Sequence, residues 1–226
     1  MRKSILVLLL LGVAGIGATS HNWGGWATVT VDDLPDYFVA GQPVRLSFVV
    51  RQHGMRPLDG LRPVVEATSG NANLSIDAMP AVSELTGRYV ATLTVPRAGA
   101  WTVRIRSGFG NSEATLMPIQ AVAAGAAAPA LSDAERGRRL FLAKGCFSCH
   151  VNREVTTAHS LSIGPDLTGR RYPPEPLAKF LARPDSMRLT QVASANAFMM
   201  PRLGLKDREI ASLVAMINSG PDVSAR

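Results

Sequence analysis

The chain has 226 residues, of which 46% are hydrophobic and 18% charged, with a formal net charge of +7. That length suits two modest folded units, and the apolar fraction is enough for packed cores. The arginines are scattered and not interleaved with aromatics, which argues against a nucleic-acid module, so no nucleic-acid partner is expected.

Residues 1–20, "MRKSILVLLLLGVAGIGATS", read as a signal peptide. Arg2 and Lys3 precede an apolar run from Ile5 to Ala18, followed by small residues suited to cleavage after Ala18 or Ser20. The run is 14 residues, short of the roughly 20 that span a bilayer. An uncleaved anchor is the alternative. The expected destination is the periplasm or another exported site, with membrane association only through a partner or that anchor.

Residues 21–120 carry eight Lys/Arg against eight Asp/Glu, and their hydrophobic pattern has period two. "VRLSFVV" alternates Val44, Leu46, Phe48 and Val50 with Arg45, Ser47 and Val49. "RYVATLTV" and "WTVRIRS" alternate in the same way, and turn residues such as Asp59-Gly60 and Ser69-Gly70-Asn71 separate the runs. The pattern predicts an all-β, immunoglobulin-like antiparallel sandwich of about seven strands, apolar on one face of each strand and polar on the other. Residues 121–130, "AVAAGAAAPA", contain Gly125 and Pro129 and read as a semi-flexible linker.

Residues 131–226 carry fourteen Lys/Arg against nine Asp/Glu, a net +5, and the period becomes helical. Ser132 and Glu135 have capping-box spacing at the start of one helix, and Gly145 ends it. "PEPLAKFLARP" is a short helix between prolines. Ile210, Leu213, Val214 and Ile217 form one apolar stripe on a last helix. The expected unit is all-α, with too few helices to fill its own centre.

Cys146-Phe147-Ser148-Cys149-His150 supplies what is missing. Two thiols three residues apart can form thioethers with the two vinyl groups of one haem, and the next residue offers its imidazole to the iron. A disulfide between the two cysteines is an alternative in an exported protein. A thioredoxin-like pair would need a strand-to-helix context that is absent, and zinc would need ligands beyond His159. Haem attachment outside the cytoplasm agrees with the export signal.

Residues 132–220 resemble a class I monohaem cytochrome c. The likeness rests on "GRRLFLAKGCFSCH", "IGPDLTG" and "MPRLGLKDREIASLVAMI" in that order. It implies an all-α cytochrome c domain with one covalent haem c, whose iron is held by His150 and by Met200 of Met200-Pro201. Met199, Met187 and the absence of a second protein ligand are the alternatives. The resemblance also implies that the Pro165 carbonyl orients the His150 imidazole, and that Gly137 and Phe141 pack against the last helix. Lys206 departs from the Ser or Asp usual at that helix start, and Met216 from an aromatic. A His/Met iron has six ligands and no open position, which implies electron exchange and no catalysis. Arg170, Arg171 and Tyr172 follow the proximal loop and suit the haem propionates, with solvated surface as the other reading.

Residues 22–120 more loosely resemble exported β domains of the FixH/YtkA-like and CopC-like kinds, on "GQPVRLSFVVRQHG" and "GRYVATLTVPRAGAWTVRI". The CopC likeness raises copper at His53-Gly54-Met55, with His21, Met79 and Met117 as partners. A core or surface role for these residues is the competing reading. The expected function is single-electron transfer, with the β-sandwich docking the protein to a membrane respiratory or photosynthetic complex. The rival is a metal-handling or oxidase-assembly protein with a redox-sensing haem. A third reading is the electron-transfer subunit of a periplasmic dehydrogenase. The cytochrome c resemblance places the segments of Lys144, Arg170, Arg171, Arg202 and Lys206 beside the haem and so implies a basic rim that steers redox partner proteins with an acidic docking face; charges that only keep the domain soluble are the other reading.

Overall fold

The computed structural model describes residues 25–82, 86–158, 160–186 and 200–220. The first half is strand: β1 (Ala27–Val31), β2 (Phe38–Val39), β3 (Pro43–Gln52), β4 (Arg56–Pro57), β5 (Val64–Ser69) and β6 (Ala72–Asp77). Then come β7 (Met79–Pro80), β8 (Arg88–Thr94), β9 (Gly99–Arg106), β10 (Glu113–Thr115) and β11 (Ile119–Val122). Helices follow: α1 (Asp133–Ala143), α2 (Pro174–Ala182) and α3 (Asp207–Ile217). Among the described residues no helix is long and apolar enough to cross a membrane.

Two sheets enclose the β core. One has the order β1-β3-β8-β7 with β4 added to β3; the other has β2-β11-β9-β5-β6 with β10 added to β9. Leu46 and Phe48 of β3 lie opposite Ala91 and Tyr89 of β8. They pack in one cluster with Val65 and Ala67 of β5 and with Trp101, Val103 and Ile105 of β9. The long strands alternate as their sequence requires: in β9 those three residues are buried while Arg104 and Arg106 are exposed.

Two features differ from the expectation of about seven antiparallel strands. The described residues form eleven strand segments, because short pieces such as β4 and β7 pair beside the long strands. Pro57 and Pro80 lack the N–H that would let these edges extend. The β2–β11 pair is parallel. β11 also reaches Val122, two residues into the stretch read as a linker.

β1 breaks the rule of one buried face. Ala27, Val29 and Val31 join the β core, yet Thr28 and Thr30 on its other side are also buried. The helical unit covers them. Thr30 Oγ1 donates to the Lys144 carbonyl at 3.4 Å. A Cβ on Gly145 would stand 2.9 Å from the Val29 carbonyl oxygen, and Gly145 itself has φ +76°. Ala143 belongs to the β core cluster, and Leu34 and Phe147 pack on both cores. The linker therefore does not leave two independent halves.

Charge closes the same seam. The Asp36 carboxylate accepts two hydrogen bonds from Arg136, at 2.9 and 3.0 Å, and one from Arg208 at 3.3 Å. Arg139 donates to the Asp36 carbonyl at 2.9 Å, and Lys206 pairs with Asp33. The Arg136 hydrogen bond holds the Asp36 carboxyl below its usual value, against the opposing effect of burial. A carboxyl depressed in the folded state stabilises above its unfolded pKa and loses that contribution as pH falls through the folded one. The seam should therefore loosen below about pH 4. Hydrogen exchange across β1 and the start of α1 should rise there in the native protein. In Asp36→Asn exchange should already be raised at neutral pH and change less on acidification. Equal acid responses in the two proteins would exclude Asp36 as the cause.

Within the helical unit, Leu140 and Phe141 of α1 pack with Ile210, Leu213, Met216 and Ile217 of α3, and Leu181 of α2 completes the cluster. The sequence-predicted cap is present: Ser132 and Glu135 exchange bonds at the head of α1. At the head of α3, Lys206 offers no acceptor. The Glu209 carboxylate accepts the Lys206 N–H at 3.0 Å instead.

Candidate cofactor-attachment site

The seam delivers α1 directly into the candidate site. Lys144 caps the helix, Gly145 turns the chain, and Cys146–Ser148 form a single 3-10 turn. Cys149 N–H and His150 N–H both donate to the Cys146 carbonyl, at 3.2 and 2.9 Å. That winding places two thiols and an imidazole on one tight turn. The thiols are free, not joined to each other. Burial pushes Cys146 up to about 12 and raises Cys149 as well, so both are held protonated.

The following loop returns along this turn. Leu161 N–H donates to the Ser148 carbonyl at 3.1 Å, Gly164 N–H to Cys149 at 2.9 Å, and Leu167 N–H to Val151 at 2.8 Å. These three bonds fix Pro165, whose carbonyl oxygen lies 3.0 Å from His150 Nδ1. A carbonyl can only accept, so Nδ1 carries the proton and Nε2 keeps its lone pair. Burial lowers the His150 pKa, with the Pro165 bond opposing, which favours the neutral, ligating form. Gly164 lies against the ring; a Cβ there would be 2.3 Å from His150 Cε1.

The other residues singled out in the sequence are placed as follows. Met200 is partly buried and packs on the helical core, as do Tyr172, Leu177 and Leu205. Arg171 Nη2 donates to the Gly220 carbonyl at 2.8 Å. Tyr172 exchanges backbone bonds with the Asn218 amide at 2.8 and 3.0 Å, so both residues are tied to the end of α3. Arg170 and Arg202 are exposed. Met187, Met199, His159 and His21 lie outside the described residues. Lys144 needs correction: it is 4% exposed, inside the seam, and cannot belong to a basic rim. Lys206 is exposed but already paired with Asp33.

In the β unit the His53 ring lies 5.6 Å from the Trp26 ring, centre to centre. Met55 and Met79 are exposed, and Met117 packs on the helical core. Among the described residues no group of three or more His, Cys, Asp or Glu is arranged to hold a metal ion.

The sequence reading missed the acidic stretch Asp32, Asp33 and Asp36, of which Asp36 meets Arg136, Arg139 and Arg208 and Asp33 meets Lys206. The signal was present, since three acids in five residues and three arginines in four (Arg136, Arg138, Arg139) are both conspicuous runs of one charge. Asn152 was also missed. It is 3% exposed, accepts from the Glu154 N–H at 3.1 Å and points its amide at Met216 Sδ, 3.7 Å away.

The residues present fit a haem c. The unpaired thiols share one turn with an imidazole whose Nδ1 is engaged and whose Nε2 is available. Partly buried apolar side chains, including Met200, Leu167 and Tyr172, pack around the helical core. Residues 134–221 match the family model described as cytochrome c, which supports a c-type cytochrome domain in the C-terminal part of the chain. No curated protein matches the chain.

Solved structures overlap it weakly. A superoxide reductase (neelaredoxin) from Ignicoccus hospitalis is 15% identical, covering 42% of this chain and 80% of its own, with a TM-score of 0.30. The Escherichia coli adhesin FdeC is 24% identical, covering 44% and 32%, with a TM-score of 0.32. The ZirS C-terminal domain is 10% identical, covering 54% and 87%, with a TM-score of 0.32.

Proposed function

We propose, from the cytochrome c match of residues 134–221, that the protein is an exported single-electron carrier with one haem c. Cys146 and Cys149 would hold the haem through thioethers, and His150 and Met200 would ligate its iron. The observation that carries this reading is the His150–Pro165 contact of 3.0 Å beside two free thiols on the same turn. When bound, the haem iron supplies a one-electron couple.

The chain's own residues do the rest. Pro165 fixes the proton on Nδ1 and so aims Nε2, a contact that sets ligand orientation and basicity. The 161–167 loop holds that carbonyl, and Cys146 and Phe147 pack on the core formed by α1 and α3. The exposed Arg170 suits a propionate. We also propose that the β unit, of immunoglobulin-like type, docks the carrier to a redox partner, most simply a membrane electron-transfer complex. Of the five basic residues considered for an acidic docking face, burial of Lys144, the Arg171–Gly220 bond and the Lys206–Asp33 pair leave Arg170 and Arg202.

Protein produced with a haem-attachment system should keep haem peroxidase staining on a denaturing gel, and Cys146→Ser/Cys149→Ser should lose it entirely. Wild-type protein that surrenders all its haem to acidified acetone would refute covalent attachment. Met200→Ala should remove the weak far-red absorption that a thioether gives on ferric iron and should lower the potential, since thioether ligation favours the ferrous state. Met199→Ala should leave both unchanged. The reverse result would move the ligand to Met199.

A further inference from the structure

One charged side chain stands at the root of the attachment turn. Lys144 lies two residues before Cys146, and its side chain is 3% exposed. Its Nζ is 2.6 Å from the Asp32 carbonyl oxygen of the β unit and 2.7 Å from Glu209 Oε1 of α3. Its own carbonyl accepts from Thr30. The second Glu209 oxygen holds the Lys206 N–H at the head of α3. Lys144 thus joins β1 through its carbonyl, and the residue after β1 and α3 through its ammonium, where the chain turns into Cys146.

Burying an ammonium is costly even when it is paired, and an apolar side chain of the same length would fill the space without that cost. Holding three elements together accounts for the hydrogen bonds. It does not account for a charge. The charge has an effect on the neighbouring thiol: the Lys144 ammonium favours the anionic form of Cys146, in opposition to burial. A cation that stabilises added negative charge at the attachment turn also stabilises an added electron there, and a carboxylate does the opposite.

We propose that Lys144 and Glu209 are positioning residues that set the redox balance of the group carried by the turn. Lys144 favours the reduced state and Glu209 the oxidised state. The β unit holds the ammonium in place through the Asp32 carbonyl. The inference rests on the haem reading above. The step concerned is the gain of one electron by the centre and its loss by the partner, with no bond formed or broken.

The test uses the full-length holoprotein as wild type, K144M, K144R, E209Q and K144M/E209Q. Each is first checked for haem that survives a denaturing gel, so failure of the haem reading shows at that stage and is separate from failure of this one. Equilibrium redox titration should then give a lower midpoint for K144M, a higher one for E209Q, and a double variant between the two. K144R, which keeps the charge, should stay near wild type. Hydrogen exchange of Thr28–Asp32 should rise in K144M and less in K144R. A purely structural role would loosen the seam in both single variants and move both midpoints in the same direction; that result, or no shift in either, overturns the proposal. If K144M fails to mature, E209Q decides alone, and an unchanged or lowered midpoint is the overturning result.

Discussion

Replacing Gly137 by alanine should destabilise the protein by about 3 kcal/mol, near the upper end of the usual cost of overpacking. Helix propensity argues for the opposite sign, because alanine in a helix interior is better than glycine by about 1 kcal/mol. The contact decides. A Cβ on Gly137 would lie 2.1 Å from the Ser212 carbonyl oxygen and 2.5 Å from Met216 Cβ, so it would strike the backbone of α3, not a side chain that can rotate away. The two helices would have to separate, opening the cluster of Leu140, Phe141, Leu213 and Met216. Urea unfolding of the full chain should show the loss, and the yield of haem-bearing protein should fall with it. A gain in stability would mean that α1 and α3 do not cross at Gly137.

The second large effect is expected at Gly164. The atoms nearest to an alanine Cβ there belong to the His150 imidazole, with Cε1 at 2.3 Å, Nδ1 at 2.6 Å and Nε2 at 2.8 Å. The ring must turn, and the 3.0 Å bond to Pro165 is lost with it. An imidazole without that bond is free in tautomer and orientation, and loss of such outer partners typically costs 10- to 100-fold in metal affinity. Gly164→Ala should therefore mature poorly, and the haem it does carry should show altered ligation in its ferric spectrum. A wild-type spectrum and yield would show that the 161–167 loop does not press on the imidazole.

Several elements were legible in the sequence because their cause lies within a few residues. The Ser132–Glu135 cap, the Gly145 stop, the α3 stripe and the alternation of β3, β8 and β9 each follow from local backbone geometry or from one repeating face. The C-x-x-C-H run is local in the same way, since one turn of chain suffices to bring its thiols and imidazole together. Resemblance, not spacing, pointed to Pro165 and to Gly137 against the last helix.

Tertiary structure alone decided what β1 and Lys144 do. Read by period, β1 has a polar face of Thr28 and Thr30, and a lysine two residues before a cysteine is a solvated charge. Both are buried because the helical unit lies on the β unit, and that docking depends on pairs 100 or more residues apart, such as Arg136 with Asp36 and Lys144 with Asp32. Periodicity reports which face of an element is apolar. It cannot report that a polar face finds hydrogen-bonding partners on a distant segment, because a satisfied polar side chain can be buried as readily as an apolar one. The sequence thus determined the elements and the attachment chemistry. The seam decided which charges remain on the surface and which one stands at the root of the attachment turn.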